Sequence, residues 1–291
     1  MGRLTVLGLG QLGGSFALAA RASGRTTEIV GFGRSEASLA DARRLGLADR
    51  TCTDPRDAVR GARTILIATP LRSVSALVAS IRDALEPGAL VMDVGSVKGT
   101  AVRDIEGPLF GSASVCAVSF VACHPLAGTE RFGPAAASAD LYRGRRCIVC
   151  PSARTPAEAL ARAKEAWTAV GAEVILMPAA LHDETMAAVS HLPHVAAYAL
   201  ARVLGDLSAE VTASALALPT TSLRDTTRIA ASSPAMWRDI FLENREALLP
   251  LVARLEEAVG LLRTAISAGD AAALEAVLEA ARTTRDRLFP R

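Results

Sequence analysis

Leu4-Thr5-Val6-Leu7-Gly8-Leu9-Gly10-Gln11-Leu12-Gly13-Gly14-Ser15 is the stretch that decides the fold. Its first four residues read as a β-strand, and the glycines that follow are spaced G-x-G-x-x-G at the opening of a helical run. Gly8 permits a tight turn, Gly10 lets the backbone approach a diphosphate, and Gly13 lets the helix pack close on the strand, with the diphosphate at the helix N-terminus. So early in a chain that goes on alternating strands and helices, this spacing predicts a dinucleotide-binding βαβ unit.

Outward from there, EIVGFG, TILIATP and ALVMDVGS repeat the strand signature between helical stretches, which predicts a parallel, doubly wound sheet. The runs FVACHP, RCIVCP and AEVILMP are expected to continue it. Past Pro178 the sequence holds no convincing strand and takes on helical period, as in EALLPLVARLEEAVGLLRTAI. The expected division is residues 1–177 for the dinucleotide-binding part and 178–291 for an all-helical domain.

The second strand ends at Gly33-Arg34-Ser35, where an acid ordinarily holds the ribose hydroxyls. A glycine there removes repulsion against a 2′-phosphate, and Arg34 and Ser35 can hydrogen-bond to one. NADP is therefore favoured, with NAD still possible.

Composition narrows the remaining classes. Hydrophobic residues make up 51% of the 291 and charged ones 21%, enough for real cores. A net charge of +2 with interspersed signs excludes a nucleic-acid or membrane surface and points to small-molecule ligands. No run approaches the roughly 20 apolar residues of a membrane span, and the N-terminus lacks the pattern of a signal peptide, so a cytoplasmic protein is expected. Five cysteines, an odd number, fit a reducing compartment. Cys147 and Cys150 form a CxxC within an extended run, where positions three apart face opposite ways, so no metal or redox role is assigned to them.

All four histidines, His124, His182, His191 and His194, lie in mid-chain. His124 stands where FVACHP breaks at Pro125, at the carboxyl edge of the predicted sheet beside the turn that carries Ser96. His191 and His194 share a helix face within SHLPH, and Pro193 predicts a kink there. A metal would need a third ligand that the spacing does not supply, so none is expected. Arg228 lies among small polar residues and suits a bidentate carboxylate clamp. Ser233 before Pro234 is a helix N-cap followed by proline at the first helical position.

Together GLGQLGGS, DVGSVK, HPLAGTE, SHLPH, DTTRIA and MWRDIFLENRE closely resemble the prephenate and arogenate dehydrogenase family of tyrosine biosynthesis, over nearly the whole chain. The resemblance implies an α/β protein: an N-terminal Rossmann doubly wound sheet with a C-terminal all-α domain like that of 6-phosphogluconate dehydrogenase. It implies oxidative decarboxylation of prephenate, a cyclohexadiene dicarboxylate, to 4-hydroxyphenylpyruvate with hydride transfer to NAD(P). In that family His124 accepts the proton of the C4 hydroxyl and Ser96 orients that hydroxyl and the nicotinamide. Arg228 holds a substrate carboxylate and His194 the substrate side chain, while Thr129, Glu130 and Trp237 line and gate the pocket. A homodimer built through the helical domain is also implied.

The residue chemistry supports a histidine base independently, because hydride leaves an alcohol carbon only as the hydroxyl proton is taken up, and neutral imidazole suits that task near pH 7. The rate is then expected to rise through a pKa of about 6.5. Arogenate and the 4-amino-4-deoxy analogue of prephenate remain alternative substrates. A β-hydroxyacid dehydrogenase of the 6-phosphogluconate type is disfavoured, since no lysine follows Lys164 to act as its acid or base. A non-catalytic dinucleotide sensor leaves His124, His194 and Arg228 without a reason to coexist.

Overall fold

The computed structural model describes residues 1–111, 118–129, 131–218 and 220–290. Eight strands form one sheet in the order β3-β2-β1-β4-β5-β6-β7-β8. They are β1 (Gly2–Leu7), β2 (Thr26–Phe32), β3 (Arg50–Cys52), β4 (Thr64–Ile67), β5 (Leu90–Asp93), β6 (Ser119–Pro125), β7 (Arg146–Cys150) and β8 (Glu173–Leu176). Helices α1 (Gln11–Ala22), α2 (Glu36–Arg44), α3 (Pro55–Val59), α4 (Val74–Ile81), α5 (Lys98–Ala101), α6 (Gly107–Phe110) and α7 (Ala157–Ala169) alternate with them.

Strand side chains alternate between two cores, as the period of two demands. Leu4, Val6, Val121, Cys123 and Cys147 pack with Phe16 and Trp167 on one face. Ile65, Ile67, Phe120, Ala122, Ile148 and Cys150 pack on the other. The two cysteines of the CxxC thus lie on opposite faces of the sheet.

One expectation is corrected. The sheet is not parallel throughout, because β7 runs antiparallel to β6 and β8 then follows β7 in parallel. A parallel return needs a crossover of a dozen or more residues, usually a helix. Between Pro125 and Arg146 the described chain forms only one short 3₁₀ turn (Pro134–Ala136), and it comes back along the edge it left. This segment therefore lies over the carboxyl edge of the sheet, where ligands bind in open α/β folds.

Beyond Met177 every described element is helical: α8 (Ala179–Met186), α9 (Leu192–Gly205), α10 (Ala209–Ala217), α11 (Thr221–Thr227), α12 (Pro234–Glu243), α13 (Arg245–Ala268) and α14 (Ala271–Leu288). Ser233 Oγ accepts the Met236 N–H, and Pro234 opens α12, as the sequence predicts. Among the described residues no helix is long and apolar enough to cross a membrane.

Candidate active site

The carboxyl ends of β5 and β6 are joined by a buried ion pair. Asp93 Oδ2 accepts the Lys98 ammonium at 2.5 Å and the Gly95 N–H at 2.8 Å, while Oδ1 accepts the Cys123 N–H at 2.9 Å. Lys98, with no exposed surface, also donates to the Cys123 carbonyl at 2.6 Å. Buried charges persist only when such added hydrogen bonds satisfy them, and here those bonds fix the turn bearing Ser96 and the peptide just before His124.

From this edge a chain of imidazoles crosses to the helical part. His124 Nδ1 lies 2.8 Å from His182 Nε2, and His182 Nδ1 lies 2.7 Å from Asp183 Oδ1. Asp183 also caps α5, accepting the Lys98 N–H at 2.7 Å and the Gly99 N–H at 2.8 Å. Burial pushes its carboxyl pKa up, but the bonds from His182 and the two amides outweigh burial and hold it below the usual value. Asp183 is thus ionised, so His182 Nδ1 carries the proton and its Nε2 is an acceptor. His124 must then donate through Nδ1, which leaves the lone pair on its own Nε2. Burial above all, with the Lys98 ammonium adding positive charge nearby, pushes the His124 pKa well below the ordinary imidazole value. The value of about 6.5 expected from sequence alone is therefore too high.

The helical side is shaped by a π-turn, Ala187–His191, between α8 and α9. It absorbs the backbone bond missing at Pro193, so the helix widens there and carries on. Asn244 Nδ2 donates to the Asp183 carbonyl at 2.9 Å and to His191 Nδ1 at 3.0 Å. Burial above all lowers the His191 pKa to about 4. His194 stacks on Trp237 with ring centroids 3.4 Å apart, and its Nδ1 bonds the Ser190 carbonyl at 2.9 Å. The Trp237 indole N–H is buried without a partner among the described residues, a donor awaiting an acceptor. Glu243 adds a second tie between the two parts, accepting the Thr100 hydroxyl at 3.1 Å and pairing with Arg103 at 3.0 Å.

His191 links the two sides, close enough to act on His124 and edge-on to Trp237 with ring centroids 5.9 Å apart, and Arg228 is close enough to His194 for its charge to lower the imidazole pKa, after the larger effect of burial. Arg228 is exposed, however, and not the deep clamp that a dianionic substrate suggests; it opens a 3₁₀ turn (Arg228–Ala231) at the surface. Thr129 is exposed and bonded to Gln11, and Glu130 lies outside the described residues. The sequence reading missed Asp93, Lys98, His182, Asp183 and Asn244. The one available signal was Lys98, one of only two lysines among 32 basic residues.

The glycine turn fits a dinucleotide. A Cβ on Gly13 would stand 2.0 Å from the Gly8 carbonyl oxygen, so only glycine allows this packing of helix on strand. A Cβ on Gly10 would meet nothing within 4 Å, which leaves open space above the first turn of α1. Among the described residues no side chain caps that turn, which leaves its first N–H groups available to an anion. At the end of β2, Arg34 is exposed, while the Ser35 hydroxyl caps α2 by accepting the Ser38 N–H at 3.3 Å.

The chain is similar to known proteins along nearly its whole length. Residues 16–176 match the family model for the nucleotide-binding domain of prephenate dehydrogenase, and residues 178–280 match the one for its dimerization domain. The chain is 36% identical to cyclohexadienyl dehydrogenase of Zymomonas mobilis over 267 residues, which cover 92% of this chain and 89% of that one. It is 30% identical to prephenate dehydrogenase of Bacillus subtilis, covering 98% of this chain and 76% of that one. Prephenate dehydrogenase from A. aeolicus, solved with hydroxyphenyl propionate and NAD+, superposes with a TM-score of 0.87 at 33% identity, covering 99% and 98% of the two chains. Synechocystis arogenate dehydrogenase superposes with a TM-score of 0.78 at 26% identity, covering 99% and 100%.

Proposed function

The chain belongs to the prephenate dehydrogenase family, and we propose that it converts prephenate to 4-hydroxyphenylpyruvate and carbon dioxide, passing hydride to a nicotinamide dinucleotide in the tyrosine-forming pathway. The observation that carries this reading is the order of bonds Asp183–His182–His124, which leaves the His124 Nε2 lone pair free to take a proton.

The Gly8, Gly10 and Gly13 turn with the first N–H groups of α1 would hold the diphosphate. The dinucleotide, when bound, supplies the hydride acceptor. His124 Nε2 takes the proton of the substrate C4 hydroxyl as hydride leaves C4, and Ser96 orients that hydroxyl. His182 and Asp183 keep the imidazole in the tautomer that makes it a base. The bond from the ring to its carboxylate then breaks, carbon dioxide leaves, and the electron pair of that bond completes the aromatic ring. Arg228 pairs with a substrate carboxylate, and His194 and the unpartnered Trp237 N–H bind its side chain, with Thr129 and Glu130 at the mouth.

NADP is preferred over NAD in this reading, on the strength of Gly33 and the exposed Arg34. Residues 1–177 form the dinucleotide part and 178–291 complete the substrate pocket and pair two copies into a homodimer in the cytoplasm. Arogenate stands as a second substrate because a structural relative is named for it. Initial velocities with prephenate and arogenate, each with NADP and NAD, test the whole reading. Faster turnover of prephenate with NADP is expected; turnover with NAD alone would discard the cofactor preference, and no turnover of either substrate would discard the activity.

A further inference from the structure

Residues 126–145, the segment that returns from β6 to β7, carry Thr129 yet rest on the dinucleotide helix α1. Gln11, the first residue of α1, holds this segment with both ends of its carboxamide. Its Nε2 donates to Thr129 Oγ1 at 2.6 Å, and its Oε1 accepts the Thr129 N–H at 2.9 Å. The same hydroxyl oxygen accepts the Arg131 N–H at 3.2 Å. Farther along, Ser15 Oγ accepts the Ser138 N–H at 2.9 Å and the Tyr142 hydroxyl donates to the Leu12 carbonyl at 2.7 Å. Tyr142 also packs edge-on against Phe16 and Trp167.

These anchors differ in kind. The Tyr142 ring belongs to the core of the sheet and is fixed by packing. The Gln11 clamp is exposed, beside the open space over Gly10, and it holds the part of the segment nearest His124. The turn that cradles phosphate and the turn that meets substrate are thereby joined through one side chain.

We infer that Gln11 is a positioning residue that couples dinucleotide binding to substrate binding, by transmitting order from the first turn of α1 to Thr129. The inference rests on the reading of this cleft as a prephenate site. An anion docked on the N–H groups of that turn fixes the Gln11 backbone. Its carboxamide passes the restraint to Thr129 through two hydrogen bonds, and by linkage a substrate held against Thr129 tightens the dinucleotide by the same factor. The side chain contacts neither ligand in this scheme, so its removal strips the coupling and leaves each separate site in place.

The test is a titration of the full-length protein with hydroxyphenyl propionate, the analogue bound in the A. aeolicus structure, with and without saturating NAD+. In the wild type NAD+ is expected to tighten the analogue by about fivefold, the low end of usual couplings. Gln11→Ala should bring that ratio to about one while NAD+ affinity measured alone stays close to wild type. Gln11→Glu keeps acceptors for the Thr129 N–H and hydroxyl proton, so the ratio should persist while the added charge beside the diphosphate weakens NAD+. A merely structural role predicts that both quantities move together in both variants. A wild-type ratio of one, or an unchanged ratio in Gln11→Ala, overturns the coupling. Failure of the analogue to bind, together with no turnover of prephenate, overturns the functional reading and this inference with it.

Discussion

The α/β part and the helical part bury their apolar residues differently. The first closes two cores, one on each face of its sheet. The second gathers Trp237 and Ile240 with Val97 into a small cluster, and leaves Val203, Leu249, Leu261 and Ile266 each at least 60% exposed. All four lie within residues 178–280, which match the family model for a dimerization domain. On the proposed function the sheet supplies a rigid base for chemistry, and the helices are expected to finish a pocket and join a partner.

Four sets of substitutions and the dependence on pH break or sharpen that contrast, beginning with the largest effect. His124→Asn should lower kcat by about 10² to 10⁴, the usual range for a general base, measured as initial velocity at saturating substrate. A near-normal rate would move the chemistry off the sheet edge. Placing charges on the helical surface, with Leu261→Glu and Ile266→Glu together, should weaken a homodimer by about 10²-fold or more, read by sedimentation. An unchanged dimer would place the interface elsewhere. Arg228→Ala should raise the KM for prephenate by roughly 30-fold, about 2 kcal/mol, at the lower end for a charged partner because Arg228 is exposed in the free protein. An unchanged KM would leave carboxylate binding to the sheet side. Arg34→Ala should reduce the preference for NADP over NAD by about tenfold, read as the ratio of the two kcat/KM values.

The smallest effect concerns pH. His124 must be neutral to act, and its pKa is lowered by burial and then by neighbouring positive charge, so kcat/KM should stay level through about pH 6.5 and fall only below it. Stability follows the same sign. The unfolded chain takes up protons at its histidines near pH 6.5, while folded His191 does so only at about 4, so stability is lost as pH falls through that window. A Tm equal at pH 7 and pH 5 would contradict this.

Local chemistry was legible in the sequence wherever neighbouring residues settle it. The Gly8-x-Gly10-x-x-Gly13 turn and the Ser233-Pro234 cap each depend on a few adjacent positions. Strand direction does not, since alternation of side chains reads the same either way, and the antiparallel β7 could be inferred only from the lack of a crossover helix after Pro125. The circuit of Asp93, Lys98, Cys123, His182 and Asp183 was hidden for a related reason. Its members come from four elements, β5, α5, β6 and α8, and a His-Asp pair such as 182–183 looks like any helix surface until the fold buries it. The exposure of Arg228 escaped because sequence gives the type of a side chain but not its depth.

Asp183 sits on the first helix after the sheet, yet it caps α5 and orients His182. A chain whose α/β part is folded and whose helices are still unformed carries His124 on β6 but lacks the His182–Asp183 pair that sets its tautomer. On the proposed mechanism, competence therefore depends on the docking of α8, and local melting that frees α8 is expected to silence turnover while the sheet is still intact.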